Sequence, residues 1–132
     1  MNKLNNKKPY QVLLFLTIGI ICGSLTGIIF VIIQRLLTFD SELNLPEFFI
    51  LLLSPIIASL LIFKLFNNSL VKNCLISFLT LIIPILGVSF GSGNYSFFNQ
   101  LGIFSLLGGI GGLFWSIPLS LPILFKKKKI NN

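Results

Sequence analysis

The chain alternates between long apolar runs and short polar interruptions, and this pattern predicts its fold. Four apolar runs cover residues 11–37, 46–66, 70–90 and 101–125. Each has about the 20 residues that an α-helix needs to cross the hydrocarbon core of a bilayer. The runs lack the alternation and the roughly ten-residue length of barrel strands. We therefore predict an all-α polytopic membrane protein with four transmembrane helices, forming a single domain over residues 1–132.

The polar interruptions divide this domain into helices, connections and tails. Residues 38–45 would join the first two helices, residues 67–69 would form a tight turn, and the uncharged, turn-rich residues 91–100 would precede the fourth helix. Residues 1–9 and 126–132 are predicted to be basic cytoplasmic tails. We expect the first helix to be a retained anchor, because its apolar run is longer than a cleaved signal requires.

Composition supports a membrane location and argues against other classes. Hydrophobic residues make up 55% of the chain and charged residues only 10%, with a mean hydropathy of +0.97. Soluble domains contain about 25% charged residues, so the excess apolar surface should face lipid. The net charge of +7 would suit nucleic acid, but the basic residues flank apolar runs, which is typical of topology signals. We expect an integral protein of a bacterial plasma membrane that binds no nucleic acid.

The distribution of lysine predicts the orientation of the helices. Lysines precede the first helix, flank the turn at residues 67–69 and follow the fourth helix. With four crossings, all these positions lie on one side of the membrane, and lysine marks the cytoplasmic side. We therefore expect cytoplasmic N- and C-termini. The cluster Lys126, Lys127, Lys128 and Lys129 would also hold anionic lipid at that face, at about 1 kcal/mol per lysine.

Small residues recur every four positions in the first and fourth helices. Gly19, Gly23 and Gly27 form one row, and Gly108, Gly112 and Ser116 form the other. Residues four apart share one face of a helix, so each row is a shallow groove that lets another backbone approach closely. We predict that these six residues pack helices together as a glycine zipper. The partner of each row is either the other row or a helix of another subunit.

Four prolines lie inside the predicted helices: Pro55, Pro84, Pro118 and Pro122. Each removes a backbone donor and frees a carbonyl one turn earlier. We expect kinks that shape the bundle, with the nearby hydroxyls of Ser54, Thr80, Ser116 and Ser120 satisfying the freed carbonyls. Alternatively, Pro118 and Pro122 end the fourth helix early.

The chain offers little for catalysis. It has no histidine, and its acids are grouped at Asp40, Glu42 and Glu47, away from the membrane centre. Cys22 and Cys74 fall at different depths, which argues against a disulfide or a shared metal. We therefore predict no enzymatic activity, no metal and no cofactor.

Arg35 is the single cation expected at the outer side, close to the acidic loop. It would either reach the interface or a loop carboxylate, or bind an anion or lipid headgroup at the mouth of a groove.

These features suggest three functions. The first is a non-catalytic subunit or assembly factor of a membrane complex, in a homo-oligomer or with a larger membrane partner. The alternative is an oligomeric small channel or transporter that uses the polar residues Gln34, Arg35, Ser54, Ser59 and Thr80. A third is a divergent piece of a larger transporter.

Overall fold

The computed structural model describes residues 7–37, 45–85 and 96–125, and within these ranges the chain is helical without strands. The elements are α1 (Lys7–Leu37), α2 (Leu45–Leu51), α3 (Ser54–Phe66), α4 (Leu70–Thr80), a π-helical segment (Leu81–Ile85) and α5 (Phe97–Phe125). The prediction of an all-helical chain is confirmed for these residues.

Three of the helical stretches are long and apolar enough to cross a membrane: Pro9–Leu37, Phe49–Phe66 and Phe97–Ile123. A shorter apolar helix covers Leu70–Ile83. These lengths and compositions suggest a membrane protein, as the sequence predicts. The fourth crossing stays a prediction, because predicted residues 86–90 lie outside the described ranges.

Side chains are distributed as expected for a protein that is surrounded by lipid. Large apolar side chains cover the outer faces, with Leu36 69% and Phe98 81% exposed. Polar side chains are found inside instead, and those buried among the described residues are Thr26, Ser54, Ser59, Asn73, Ser77, Thr80, Ser116 and Ser120. In water this arrangement would expose an unusually large apolar surface.

Helices α1 and α5 form the most extensive helix pair of the described chain. They run antiparallel, because Gly19 lies against Gly112 and Ser116 while Gly27 lies against Phe104. The N-terminal end of α1 therefore lies beside the C-terminal end of α5. This pairing is the frame on which the other helices pack.

Helices α3 and α4 form a hairpin that packs on α1, with α4 also contacting α5. Asn67 closes α3 in the left-handed conformation with φ 48°, which asparagine tolerates better than most residues. Its N–H donates to the Phe63 carbonyl at 2.9 Å. The three residues predicted as a tight turn thus connect the two helices.

The hairpin turn and the N-terminal part of α1 lie at one pole of the bundle. Lys72 Nζ sits 5.4 Å from the centre of the Phe15 ring, and Phe66 lines a surface groove with Tyr10 and Leu13. The C-terminal end of α5 is at the same pole because α5 is antiparallel to α1. We call this end of the bundle the lysine pole.

The second predicted helix, residues 46–66, is interrupted in the structure. Leu52 and Leu53 form a turn between α2 and α3, and the Leu53 N–H donates to the Ile50 carbonyl at 3.0 Å. Pro55 explains the interruption, because it has no N–H for the Leu51 carbonyl and its ring crowds that carbonyl. Pro55 is then well placed in the first turn of α3.

The other prolines are accommodated without a break. Helix α5 continues past Pro118 and Pro122 to Phe125, so these prolines do not end the helix early. The Ser116 hydroxyl donates to the Gly112 carbonyl at 2.6 Å and the Ser120 hydroxyl to the Ile117 carbonyl at 2.7 Å. Neither carbonyl lies one turn before a proline, and the hydroxyls of Ser54 and Thr80 have no hydrogen-bond partner. The expectation about these four hydroxyls was therefore wrong.

The π-helical segment Leu81–Ile85 contains Pro84. Pro84 lacks the N–H that would bond to the Thr80 carbonyl in an α-helix. A π-helix pairs each carbonyl with the N–H five residues later, so residue 85 replaces the proline as the donor. The π-helical segment therefore compensates for the N–H that Pro84 lacks.

Candidate functional site

The contact between α1 and α5 is made mainly by small residues and backbone. We call the set Gly19, Gly23, Gly27, Phe104, Gly108, Gly112 and Ser116 the glycine seam. Five of the six residues predicted to pack helices contact one another across it: Gly19 lies against Gly112 and Ser116, and Gly23 lies against Gly108 and Gly112. The sixth, Gly27, lies against Phe104. The structure thus brings the two predicted rows together within one chain.

The seam leaves no room for side chains at its glycines. A Cβ added to Gly23 would meet the Gly108 carbonyl and would lie 2.9 Å from the Gly112 Cα. A Cβ on Gly27 would meet the Phe104 carbonyl oxygen and lie 2.7 Å from its carbonyl carbon. Real Cβ atoms essentially never approach other atoms within 3.0 Å. The close backbone approach therefore requires glycine at these positions.

Phe104 is a seam residue that the small-residue pattern misses. It belongs to the same four-residue row as Gly108, but it contributes its backbone carbonyl to the contact with Gly27. Its side chain turns aside and stacks on Phe30, with ring centroids 5.8 Å apart. The four-residue spacing is the only sequence signal that would have found it.

Gly109 lies beside the seam, where contacts are less severe. A Cβ there would meet the Ser24 hydroxyl at 2.7 Å and the Ile20 side chain at 3.6 Å. These atoms belong to side chains, so they can move more easily than backbone. Gly102, further along α5, has no atom within 4 Å of an added Cβ and lies outside the seam.

A second buried feature is made of small polar side chains from α1, α3 and α4. We call Cys22, Thr26, Ser54, Ser77 and Thr80 the polar layer. The Cys22 sulfur and the Ser77 hydroxyl oxygen are 3.0 Å apart, and the Thr26 hydroxyl donates to the Cys22 carbonyl at 2.8 Å.

Apolar clusters include residues on both sides of this layer along the helices. One cluster contains Ile18, Cys22 and Ile62. The other contains Phe30, Val31, Leu51, Leu81, Ile85 and Phe104. The hydroxyl and thiol groups of the polar layer are thus buried beside apolar side chains of the core.

Two hydroxyls of the polar layer have no hydrogen-bond partner: Ser54 Oγ and Thr80 Oγ1. Both residues are fully buried. A buried hydroxyl without a partner costs about 1–3 kcal/mol, so most such groups in proteins are satisfied. Ser54 and Thr80 therefore differ from ordinary core residues, whose buried polar groups are hydrogen-bonded.

Asn68 and Asn73 form a reciprocal pair near the hairpin turn. Asn68 Nδ2 donates to Asn73 Oδ1 at 3.1 Å, and Asn73 Nδ2 donates to Asn68 Oδ1 at 2.6 Å. Asn73 is fully buried, and its carbonyl lies 3.8 Å from the Cys22 sulfur. The side-chain pair therefore links the turn to α4, and the Asn73 backbone carbonyl provides the contact with α1.

The remaining predicted site residues are not brought to either feature. Arg35 is exposed in the last turn of α1, where a cation suits the helix dipole. Lys126, Lys127, Lys128 and Lys129 lie outside the described residues. Cys22 and Cys74 are both free cysteines, and no group of His, Cys, Asp or Glu in the described ranges has metal-binding geometry.

Comparison with known proteins gives no further guide to function. No protein-family model, no curated protein and no solved structure matches the chain.

Proposed function

We propose that this protein is a non-catalytic subunit or assembly factor of a membrane complex, built from four membrane-spanning helices with both ends on the cytoplasmic side. The glycine seam is the observation that carries this proposal. It joins two helices that are long enough to span a bilayer. Their backbones are in direct contact at the glycines, as expected for two helices held in one fixed pairing. The seam thereby holds α1 and α5 together within one chain.

The orientation is supported by the lysine pole. Lys64 and Lys72 flank the hairpin turn, and α1 begins with Lys7 and Lys8 at the same pole. Lys126–Lys129 follow α5, whose C-terminal end is also there. Because lysine favours the cytoplasmic side, this pole would face the cytoplasm and contact anionic lipid.

The partner, whether another copy or a larger protein, would bind the outer faces of the bundle. The seam is already filled by the chain's own helices, so it offers no groove to a second chain. The proposal therefore differs from the alternative in which each glycine row packs against a helix of another subunit. The titratable side chains of the described residues do not converge in a cleft, which is why we propose a non-catalytic role.

The mass of the native complex, extracted with its lipids, tests the proposal. A subunit or assembly factor should co-purify in a fixed ratio with a larger protein, or form a defined oligomer. Reporter fusions at the two termini should give signals on the same side of the membrane. A monomer without a partner, or termini on opposite sides, would contradict the proposal.

The second candidate is a small channel or transporter, and the polar layer favours it. Ser54 and Thr80, two of the residues named for this function from the sequence, are buried together with other hydroxyls in the bundle. Ser59 is also buried, but its hydroxyl donates to the Ile56 carbonyl at 2.9 Å in its own helix. A channel should give solute flux in liposomes that contain the purified protein alone, whereas a subunit should not.

A further inference from the structure

Ser54 and Thr80 lie at similar distances along α3 and α4 from the hairpin turn. Ser54 begins α3, 12 residues before Phe66, and Thr80 ends α4, 10 residues after Leu70. At 1.5 Å per residue these positions are about 18 Å and about 15 Å from the shared turn. The two helices pack against each other, so these two fully buried and unpartnered hydroxyls lie at nearly the same level of the hairpin.

Helix α1 contributes to the same level. The Cys22 sulfur touches the Ser77 hydroxyl, and α1 and α4 leave the lysine pole in the same direction. One further turn along each helix leads to Thr26 and to the end of α4 at Thr80. Thr26 already donates to a backbone carbonyl of its own helix, so only its oxygen lone pair remains.

Both helices that carry these hydroxyls are irregular at this level. The chain turns at Leu52 and Leu53 before α3, and α4 widens into the π-helical segment directly after Thr80. The N-terminus of α3 has no side-chain cap, although its first residues are buried. Interrupted helices and π-helical turns inside proteins are frequent at binding sites.

We propose that the polar layer binds one small hydrogen-bond acceptor between Ser54 and Thr80. Both hydroxyls can donate, and they do not bond to each other. A ligand that accepts from both would remove the cost of leaving two buried donors unpaired. Its chemistry is that of a lone pair on a small centre, which either a water molecule or a monovalent inorganic anion provides.

The proposal does not depend on the subunit or transport function, because a bound ligand can be structural in either. It is tested by a double-mutant cycle with Ser54→Ala and Thr80→Val, measured as reversible unfolding of the full chain in mixed micelles. A shared ligand is lost when either hydroxyl is removed. Each single variant should then raise the unfolding equilibrium constant on the order of fivefold, and the double variant should add little more.

A dry site gives the opposite result. Removing an unpaired buried hydroxyl would leave stability unchanged or increase it, and the two effects would add. That outcome overturns the proposal. Ser59→Ala is the control, because its hydroxyl is already bonded within α3, and its effect should add to that of either variant. Thr80→Ser keeps the hydroxyl and should keep the coupling with Ser54, even if Thr80→Val does not fold.

A salt series identifies the source of the acceptor. Unfolding is compared in chloride, bromide and gluconate at one ionic strength. If the ligand is an anion, the halides should stabilise the wild-type chain relative to gluconate, and Thr80→Val should abolish the difference. If the ligand is water, the coupling should persist equally in all three salts.

Discussion

Gly23 of α1 and Gly108 of α5 face each other so closely that each carbonyl occupies the space a Cβ of the other would need. The contact is reciprocal, with backbone on both sides. Such geometry brings Cα–H groups close to carbonyl oxygens, where weak hydrogen bonds of about 0.5–1 kcal/mol each can form. In lipid, where burial of apolar side chains drives little, contacts of this kind supply much of the attraction between helices.

The first prediction concerns this contact. Gly23→Ala should destabilise the bundle by roughly 1–3 kcal/mol, because the added methyl group meets backbone that cannot move without separating α1 from α5. The measurement is reversible unfolding in mixed micelles. Gly23→Leu and Gly112→Leu should lose the folded bundle before they lose membrane insertion.

Gly102→Ala is the matched control for this prediction. An added Cβ there has no neighbour within 4 Å, so the variant should be neutral, or more stable by up to about 1 kcal/mol from helix propensity. Gly109→Ala should fall between the two, since it meets the Ser24 hydroxyl and no backbone within 3.0 Å. Equal effects at Gly23 and Gly102 would show that the helices do not approach as described.

The second prediction uses the two cysteines as reporters of burial. Cys22 is fully buried while Cys74 is half-buried, so a membrane-permeant maleimide should label Cys74 much faster than Cys22 in the folded protein. Single-cysteine variants distinguish the two sites by mass. Denaturation in SDS should bring both to the same rate, and rapid labelling of Cys22 before denaturation would count against its position between α1 and α4.

The third prediction concerns Asn68 and Asn73. Asn73→Ala should destabilise the hairpin, because it removes two side-chain hydrogen bonds and a buried amide. Asn68→Ala should cost less, but it leaves the buried Asn73 amide without its partner. In a double-mutant cycle the two residues should be coupled by about 0.5–1.5 kcal/mol per hydrogen bond. Additive effects would indicate that the pair does not form in the bilayer.

The fourth prediction separates two roles of Arg35. As an exposed residue at the C-terminal end of α1, it should contribute at most about 1 kcal/mol through the helix dipole, so Arg35→Gln should leave unfolding nearly unchanged. If Arg35 also binds an anion or headgroup, Arg35→Gln should lose retained anionic lipid in native mass spectra at normal membrane levels, and Arg35→Lys should recover it in part. Unchanged lipid retention would leave only the structural role.

The apolar pattern alone was sufficient to predict helices, because membrane-spanning helices have few alternatives once backbone groups must bond internally. The four-residue spacing of small residues was likewise sufficient to predict which faces of α1 and α5 carry glycine. It did not predict which helix those faces meet. That choice depends on three-dimensional register, and the intramolecular and intermolecular pairings place the same residues on the same face.

The features that the sequence did not predict depend on backbone geometry and helix packing. The turn at Leu52 and Leu53 forms because the helix breaks near Pro55 and does not merely bend, and the sequence is compatible with either outcome. Phe104 joins the seam through its backbone, which no side-chain pattern records. The burial of Ser54, Ser77 and Thr80 follows from the packing of the hairpin, which the spacing of single polar residues does not indicate.

The pairing of α1 with α5 has a consequence for biogenesis. The ribosome completes α1 long before it delivers the glycines of α5, so during synthesis the flat face of the first helix is open to the translocon, to lipid and to insertion chaperones. The hairpin of α3 and α4 is synthesised after α1 and before α5. It can pack against α1 at that stage, but the bundle is incomplete until α5 is present. A stalled chain that ends before Gly108 should therefore be the form most exposed to membrane quality-control proteases.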